Sequence, residues 1–279
     1  MKKYLLLLLF PVSLLAQDDL LNEIDTVSTE KSKVESAFKG LKIVNLESTK
    51  LAAKGDLYFI VAHRFGSIKD GFEGFYGLDN ANTQIKFVYG LTNWFTVSGA
   101  RSELAYDFSG KFLIKNQERG GFPVAIAGFG SLAINNTLKE SLYPKMTFEN
   151  RLIYVSQILI SRKFSQNLSL EVVPTFFHEN FVLDDNQENS QLALGLGGRY
   201  KFAKRWSLNI DYAAHLNRAS NSVYKNPLSV GVDIETGGHV FQMHFSNSQG
   251  IHEAGFLGNT TGDWTKGDVF FGFNLLRVF

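Results

Sequence analysis

His244-Phe245-Ser246-Asn247 is the densest cluster of potentially reactive side chains in this 279-residue chain. Residues two apart on a strand point the same way, so His244 could take the proton of Ser246 and make its hydroxyl a nucleophile. Glu253 or Asn259 could orient the histidine, and the chemistry would be ester hydrolysis. The flanking pattern argues against this. Phe241, Met243 and Phe245 form an apolar set, which places His244 and Ser246 on the other face with Gln242. A four-residue match also arises easily by chance. The expectation is therefore two polar wall residues without a catalytic role.

A second constellation is dispersed. Asp107, Lys111, Glu171, Arg199, Lys201, Asp211, Asp233 and Glu235 fall on the polar faces of alternating runs. If those faces share one lumen, the charges either line a channel or solute site or fill the interior as mutual ion pairs. The filled interior is the favoured expectation. The six histidines, His63, His178, His215, His239, His244 and His252, are scattered over strands and loops without paired ligand spacing, so no metal site is expected. Asp184-Asp185 with Glu188 could hold divalent ions bridging lipopolysaccharide, although a solvated acidic loop is simpler. The absence of cysteine excludes disulfides and thiolate chemistry, no glycine loop is arranged to cradle phosphate, and no cofactor is expected. With 28 basic and 27 acidic residues there is no basic surplus for nucleic acid.

The elements that must position these groups are strands. Twelve runs have strand character: 56–65, 83–91, 94–101, 104–114, 122–135, 151–162, 167–178, 190–202, 206–215, 228–236, 239–247 and 267–279. Their length suits a tilted membrane-crossing strand of roughly 9–11 residues. Trp206, Leu208, Ile210, Tyr212 and Ala214 share one face, opposed by Ser207, Asn209, Asp211 and His215, a period of two with one apolar side. Leu104, Tyr106, Phe108 and Phe112 oppose Asp107, Ser109 and Lys111 in the same way. The runs near 56–65, 122–135 and 151–162 alternate poorly, and Ile158-Leu159-Ile160 is apolar on both faces. Rings near strand ends, such as Trp94, Phe95, Phe164, Phe202 and Trp206, suit an interfacial girdle. Tight turns at 92–93, 165–166, 203–205 and 237–238 alternate with long loops at 66–82, 136–150, 179–189, 216–227 and 248–266, as in outer-membrane barrels. The short link between the third and fourth runs departs from this alternation. The last run carries Val269, Phe271, Phe273, Leu275 and Arg277 in alternation and ends on Phe279, an aromatic end suited to the barrel assembly machinery.

The predicted fold is thus all-β: a single antiparallel up-and-down transmembrane barrel of about twelve strands, preceded by a signal peptide and a short polar segment. Residues 1–16, with Lys2, Lys3 and an apolar run ending near Ala16, read as the signal peptide. Residues 17–55 read as a polar segment, periplasmic or tucked into the lumen, and 56–279 as the barrel. Residues 17–36 are acidic and should bury little. Residues 37–47 are more apolar and suit either a short strand or insertion into the lumen. The expected location is the bacterial outer membrane, in contact with its lipid and lipopolysaccharide. A periplasmic protein could dock through residues 17–50.

Two resemblances add to this reading. His244 to Asn247 is similar to the His-any-Ser-Asn signature of outer-membrane lipid A deacylases, and the spacing also resembles outer-membrane phospholipases. Such enzymes need the pair at the bilayer side, not the lumen side. The chain as a whole resembles a Bacteroidetes family of exported barrels catalogued as a domain of unknown function. The residues that carry this are Ala62 to Gly66 (AHRFG), Gly77 to Asn82 (GLDNAN), Tyr89 to Val97 (YGLTNWFTV), Asn247 to Gly250, Thr261 to Trp264, and Gly272 to Phe279 (GFNLLRVF). That resemblance implies an outer-membrane barrel and no established activity. Three function classes follow: a non-enzymatic channel or solute-binding barrel, a lipid hydrolase built on His244, Ser246 and Glu253, and a structural or partner-docking barrel. The first and third rank together ahead of the second.

Overall fold

The computed structural model describes residues 32–279 apart from 140, 184 and 185. The expected signal peptide, the segment 17–31 and the Asp184-Asp185 pair lie outside the described residues. Twelve antiparallel strands close into one barrel, in which each strand pairs with its neighbours in chain order. They are β1 (Leu57–Ser67), β2 (Ala81–Gly90), β3 (Phe95–Ser102), β4 (Ala105–Lys115), β5 (Ala125–Asn135), β6 (Leu152–Lys163), β7 (Leu168–Glu179), β8 (Ser190–Lys201), β9 (Trp206–His215), β10 (Leu228–Thr236), β11 (His239–Ser246) and β12 (Phe270–Val278). No predicted strand end is displaced by more than three residues.

The barrel closes by pairing β12 with β1, from Phe270 opposite Ser67 to Val278 opposite Tyr58, across one bulge. Phe279 extends the seam: its N–H donates to the Leu57 carbonyl at 2.9 Å. Closure leaves no strand edge unpaired. The turns at 91–94, 164–167, 202–205 and 237–238 lie at the end that also receives the first and last strands. The 116–124 connection lies there too, with a two-stranded ribbon between Ser32–Lys33 and Glu118–Arg119. The other end carries the longer loops, and the link 103–104 is its one tight turn, fixed by the consecutive pairing of β3 and β4. Among the described residues no helix is long and apolar enough to cross a membrane; the crossing elements are the strands.

Alternation sets the faces. Phe87, Phe108, Leu196, Ile210 and Phe245 are exposed on the outside, whereas Lys86, Asp107, Asp211 and His244 are buried inside. The poor alternation of β5 and β6 has a physical reason: their inward faces are apolar. Phe129, Ile153, Val155 and Leu159 pack there with Phe38, Ile43 and Leu46 from before β1, and with Phe256 and Leu257 from the last loop. A twelve-stranded barrel is wider than eight strands, whose side chains just fill the interior. Here the extra width is taken up by polypeptide.

Candidate functional site

Residues 37–52 enter from the tight-turn end, fold back as a hairpin inside the lumen and leave to begin β1. The hairpin is closed by Ile43 N–H to the Leu46 carbonyl (2.8 Å) and Ser48 N–H to the Leu41 carbonyl (3.0 Å). Its exit is tight. Gly90 of β2 lies so close to Ala53 that an added Cβ would fall 1.9 Å from the Ala53 oxygen.

Buried main-chain groups need partners, and wall side chains supply them. Asp211 on β9 accepts from three successive N–H groups, Val44 (3.1 Å), Asn45 (2.6 Å) and Leu46 (2.9 Å). Glu171 on β7 accepts from Thr49 N–H at 2.9 Å. Lys111 on β4 donates to the carbonyls of Leu41 (3.0 Å), Ser48 (2.8 Å) and Lys50 (3.2 Å). Gln242 donates to the Ile43 carbonyl and Asn274 to that of Val44. Thr96 accepts from Ala52 N–H at 3.1 Å. The side chain of Asn45, at the tip, donates to Ser229 at 2.9 Å and accepts from Arg64 at 2.9 Å.

The wall is polarised across the lumen. Arg64, Lys86 and Lys111 stand on β1, β2 and β4, and Glu171, Asp211 and Asp233 stand on β7, β9 and β10; Asp107 on β4 and Arg199 on β8 are the buried charges of opposite sign on each side. The hairpin matches this field. Its N–H groups face the acidic wall, and its Glu47 faces the basic wall, 2.7 Å from Lys111 and 3.5 Å from Lys86. Shape matches too. Wall glycines stand beside the tip, and a Cβ at Gly197 would lie 2.2 Å from Ile43 and one at Gly195 2.9 Å from Leu46.

The loop after β11 covers the hairpin from the long-loop end. It folds inward through a short helix, α1 (Glu253–Gly258), capped by His252, whose Nδ1 accepts from Gly255 N–H at 3.1 Å. Glu253 meets Lys42 of the hairpin at 2.7 Å, so the two insertions are clasped together. A residual cavity of about 50 Å³, lined by Lys42, Glu47, Arg64, Lys86 and Gln242 among others, has room for little more than a few waters.

The remaining candidates are accounted for individually. Arg199 pairs with Glu235 and donates to Ser207 at 3.1 Å. Asp233 accepts from Gln242 at 2.7 Å. Asp107 is buried near the clasp, and Lys201 lies at the tight-turn mouth. His244 and Ser246 both face inward, and they do not form a dyad. Neither ring nitrogen of His244 has a hydrogen-bond partner among the described residues. The Ser246 oxygen accepts from Ser229 (3.0 Å), Asn45 (3.3 Å) and the Ser248 N–H (3.0 Å). Glu253 is taken by Lys42, and no group of three or more potential metal ligands occurs among the described residues. Arg64, Lys86 and Asn274 were not singled out from the sequence. Alternation alone would place them inward, whereas the roles of Lys42 and Glu47 have no local signal, because their partners are distant in the chain.

The closed barrel with inward polar faces defines a membrane-bound β-barrel of porin-like architecture. The chain belongs to the family described as "Membrane bound beta barrel domain (DUF5777)", which matches residues 38–279, hairpin included. No curated protein matches it by sequence. Among solved structures it is similar to a KdgM porin in complex with disordered oligogalacturonate (8% identity, TM-score 0.51, covering 80% of this chain and 99% of that one). It is also similar to the NanC porin (9% identity, TM-score 0.50, covering 80% and 98%). At such identity the likeness is one of fold.

Proposed function

We propose that this chain is a non-enzymatic outer-membrane channel, exported by a signal peptide, whose lumen is held shut by its own N-terminal hairpin. The observation that carries the reading is the seating of residues 37–52 against a polarised wall, with Asp211, Glu171 and Lys111 bonded to hairpin main chain. The same lumen becomes a passage, polar except along β5 and β6, once the hairpin and the α1 loop clasped to it by Glu253 both move aside. The porin-like architecture supports a conducting role, and the exposed outer aromatics suit contact with lipid and lipopolysaccharide. In this reading Phe279 serves both the seam and recognition by the assembly machinery.

A docking role is a second reading, favoured by the filled lumen. Because residues 37–50 are engaged inside, a periplasmic partner would meet residues 32–36 unless the hairpin withdraws. Planar-bilayer recording separates the two. A channel closed by its hairpin should conduct weakly, and conduct more in a variant carrying Asp211→Asn and Lys111→Gln. A docking barrel should stay silent in both.

A further inference from the structure

At the tight-turn end, the hairpin legs, the 116–124 connection and the barrel rim enclose a vestibule of about 980 Å³. Its size is at the upper end for a ligand cleft, but its lining is charged rather than apolar. Eight lining side chains are cationic and three are acidic, in a chain whose net charge is only +1. The three acids are already engaged: Glu35 with Lys163 at 2.8 Å, Glu118 with Lys115 at 3.0 Å, and Glu235 with Arg199. Six of the cations form no salt bridge among the described residues; of these Arg162 lies over the Phe164 ring at 5.0 Å, which leaves Lys33, Lys39, Lys50, Arg119 and Lys201.

These five cations come from separate pieces of chain, and the pieces are fixed. Lys33 and Arg119 sit on the two-stranded ribbon. Gln117 staples that connection to the rim, donating to the Lys163 carbonyl (3.0 Å) and accepting from the Lys163 N–H (2.8 Å). Lys39 and Lys50 lie on the two legs of the hairpin, and Lys201 ends β8. Lys50 reaches across the two legs to donate to the Lys39 carbonyl at 2.5 Å. Burial, and next the charge of Lys39, pull its ammonium down to about 8, against Glu235 and Asp56. Fixed like charges in a concave site favour a counter-charge of several valences, which one ligand supplies at less entropic cost than several free ions.

We infer that this vestibule binds a small polyanion, a solute bearing several phosphate or carboxylate groups. The hairpin forms its floor, so the site exists with the channel closed and stands apart from the conduction reading. The test is titration calorimetry of the folded full chain in uncharged detergent, at about 0.15 M salt so that diffuse attraction is screened. Inorganic tripolyphosphate is the probe in one arm and citrate in the other. Saturable one-to-one binding of either supports the site, and the stronger arm identifies phosphate or carboxylate as the preferred group. A variant with Lys39→Gln, Arg119→Gln and Lys201→Gln should bind about tenfold more weakly. Lys69→Gln with Lys266→Gln, at the opposite end, should bind as the parent does. Heat-modifiable migration on gels verifies that every variant is folded. The inference is overturned if neither polyanion gives a saturable isotherm, or if the two variants weaken binding equally.

Discussion

The carboxylate of Asp211 lies 2.6 Å from the main-chain nitrogen of Asn45, at the hairpin's turning point. The N–H groups of Val44 and Leu46 converge on the same oxygen, a concave arrangement of amides that suits an anion. Asp211→Asn keeps the shape and removes the charge. It should weaken the seat by about 1–3 kcal/mol. Hydrogen exchange at Val44, Asn45 and Leu46 should then quicken by about tenfold or more while exchange in the strands is unchanged.

The Lys42–Glu253 pair joins the hairpin to the loop from the opposite end of the barrel, across 211 positions of sequence. Glu253→Gln leaves Lys42 with Glu47 at 3.5 Å as its carboxylate partner among the described residues, besides the carbonyls of Asn45 and Ile251. Breaking a pair this enclosed costs about 3 kcal/mol, so the loop 248–266 should become more sensitive to protease added from the long-loop side. A double-mutant cycle with Lys42→Met should show coupling, and additive effects would remove the clasp from the account.

Gly197 leaves space that Ile43 fills, with an added Cβ 2.2 Å from its Cδ1. Gly197→Val should displace the hairpin at a cost of about 1–3 kcal/mol and raise the open fraction in bilayer recordings. Gly99→Ala is the control. Its nearest contact would be an ordinary 3.7 Å from Phe108 on the outer face.

His244 is 2% exposed and Phe245 43%, so neighbouring positions on β11 meet different solvents. A cysteine at 245 should react with a membrane-confined thiol label and one at 244 should not. Labelling at 244 would mean a one-residue slip of the strand. The parent protein should release no acyl chain from phospholipid or lipid A, and hydrolysis lost in Ser246→Ala would restore the enzyme reading.

Much of this was legible in the sequence. Alternation in 206–215 and 190–202 marked which residues face inward, because burial on one side of a sheet imposes a period of two. The same signal failed in β5 and β6. There the inward residues Phe129, Ile153 and Leu159 meet apolar hairpin side chains instead of water, so both faces read as apolar. Residues 37–47 were ambiguous because a short apolar run suits a strand or a buried hairpin equally. Asp211 and Glu171 were recognised as inward charges, but their partners are backbone amides, which carry no residue-type signature. The glycines of β8 passed as ordinary strand glycines, since only the seated hairpin gives their missing Cβ atoms a purpose.

The central claim is that the hairpin closes the passage, and a reversible lock tests it most directly. The chain has no cysteine, so Asn45→Cys with Ser229→Cys, a pair whose Nδ2 and Oγ atoms are hydrogen-bonded at 2.9 Å, creates a single thiol pair. In the background of Asp211→Asn and Lys111→Gln, single-channel conductance is recorded on the same membranes before and after reduction. The account predicts a silent barrel when the disulfide is formed and a conducting one when it is reduced. Equal conductance in the two states would contradict it.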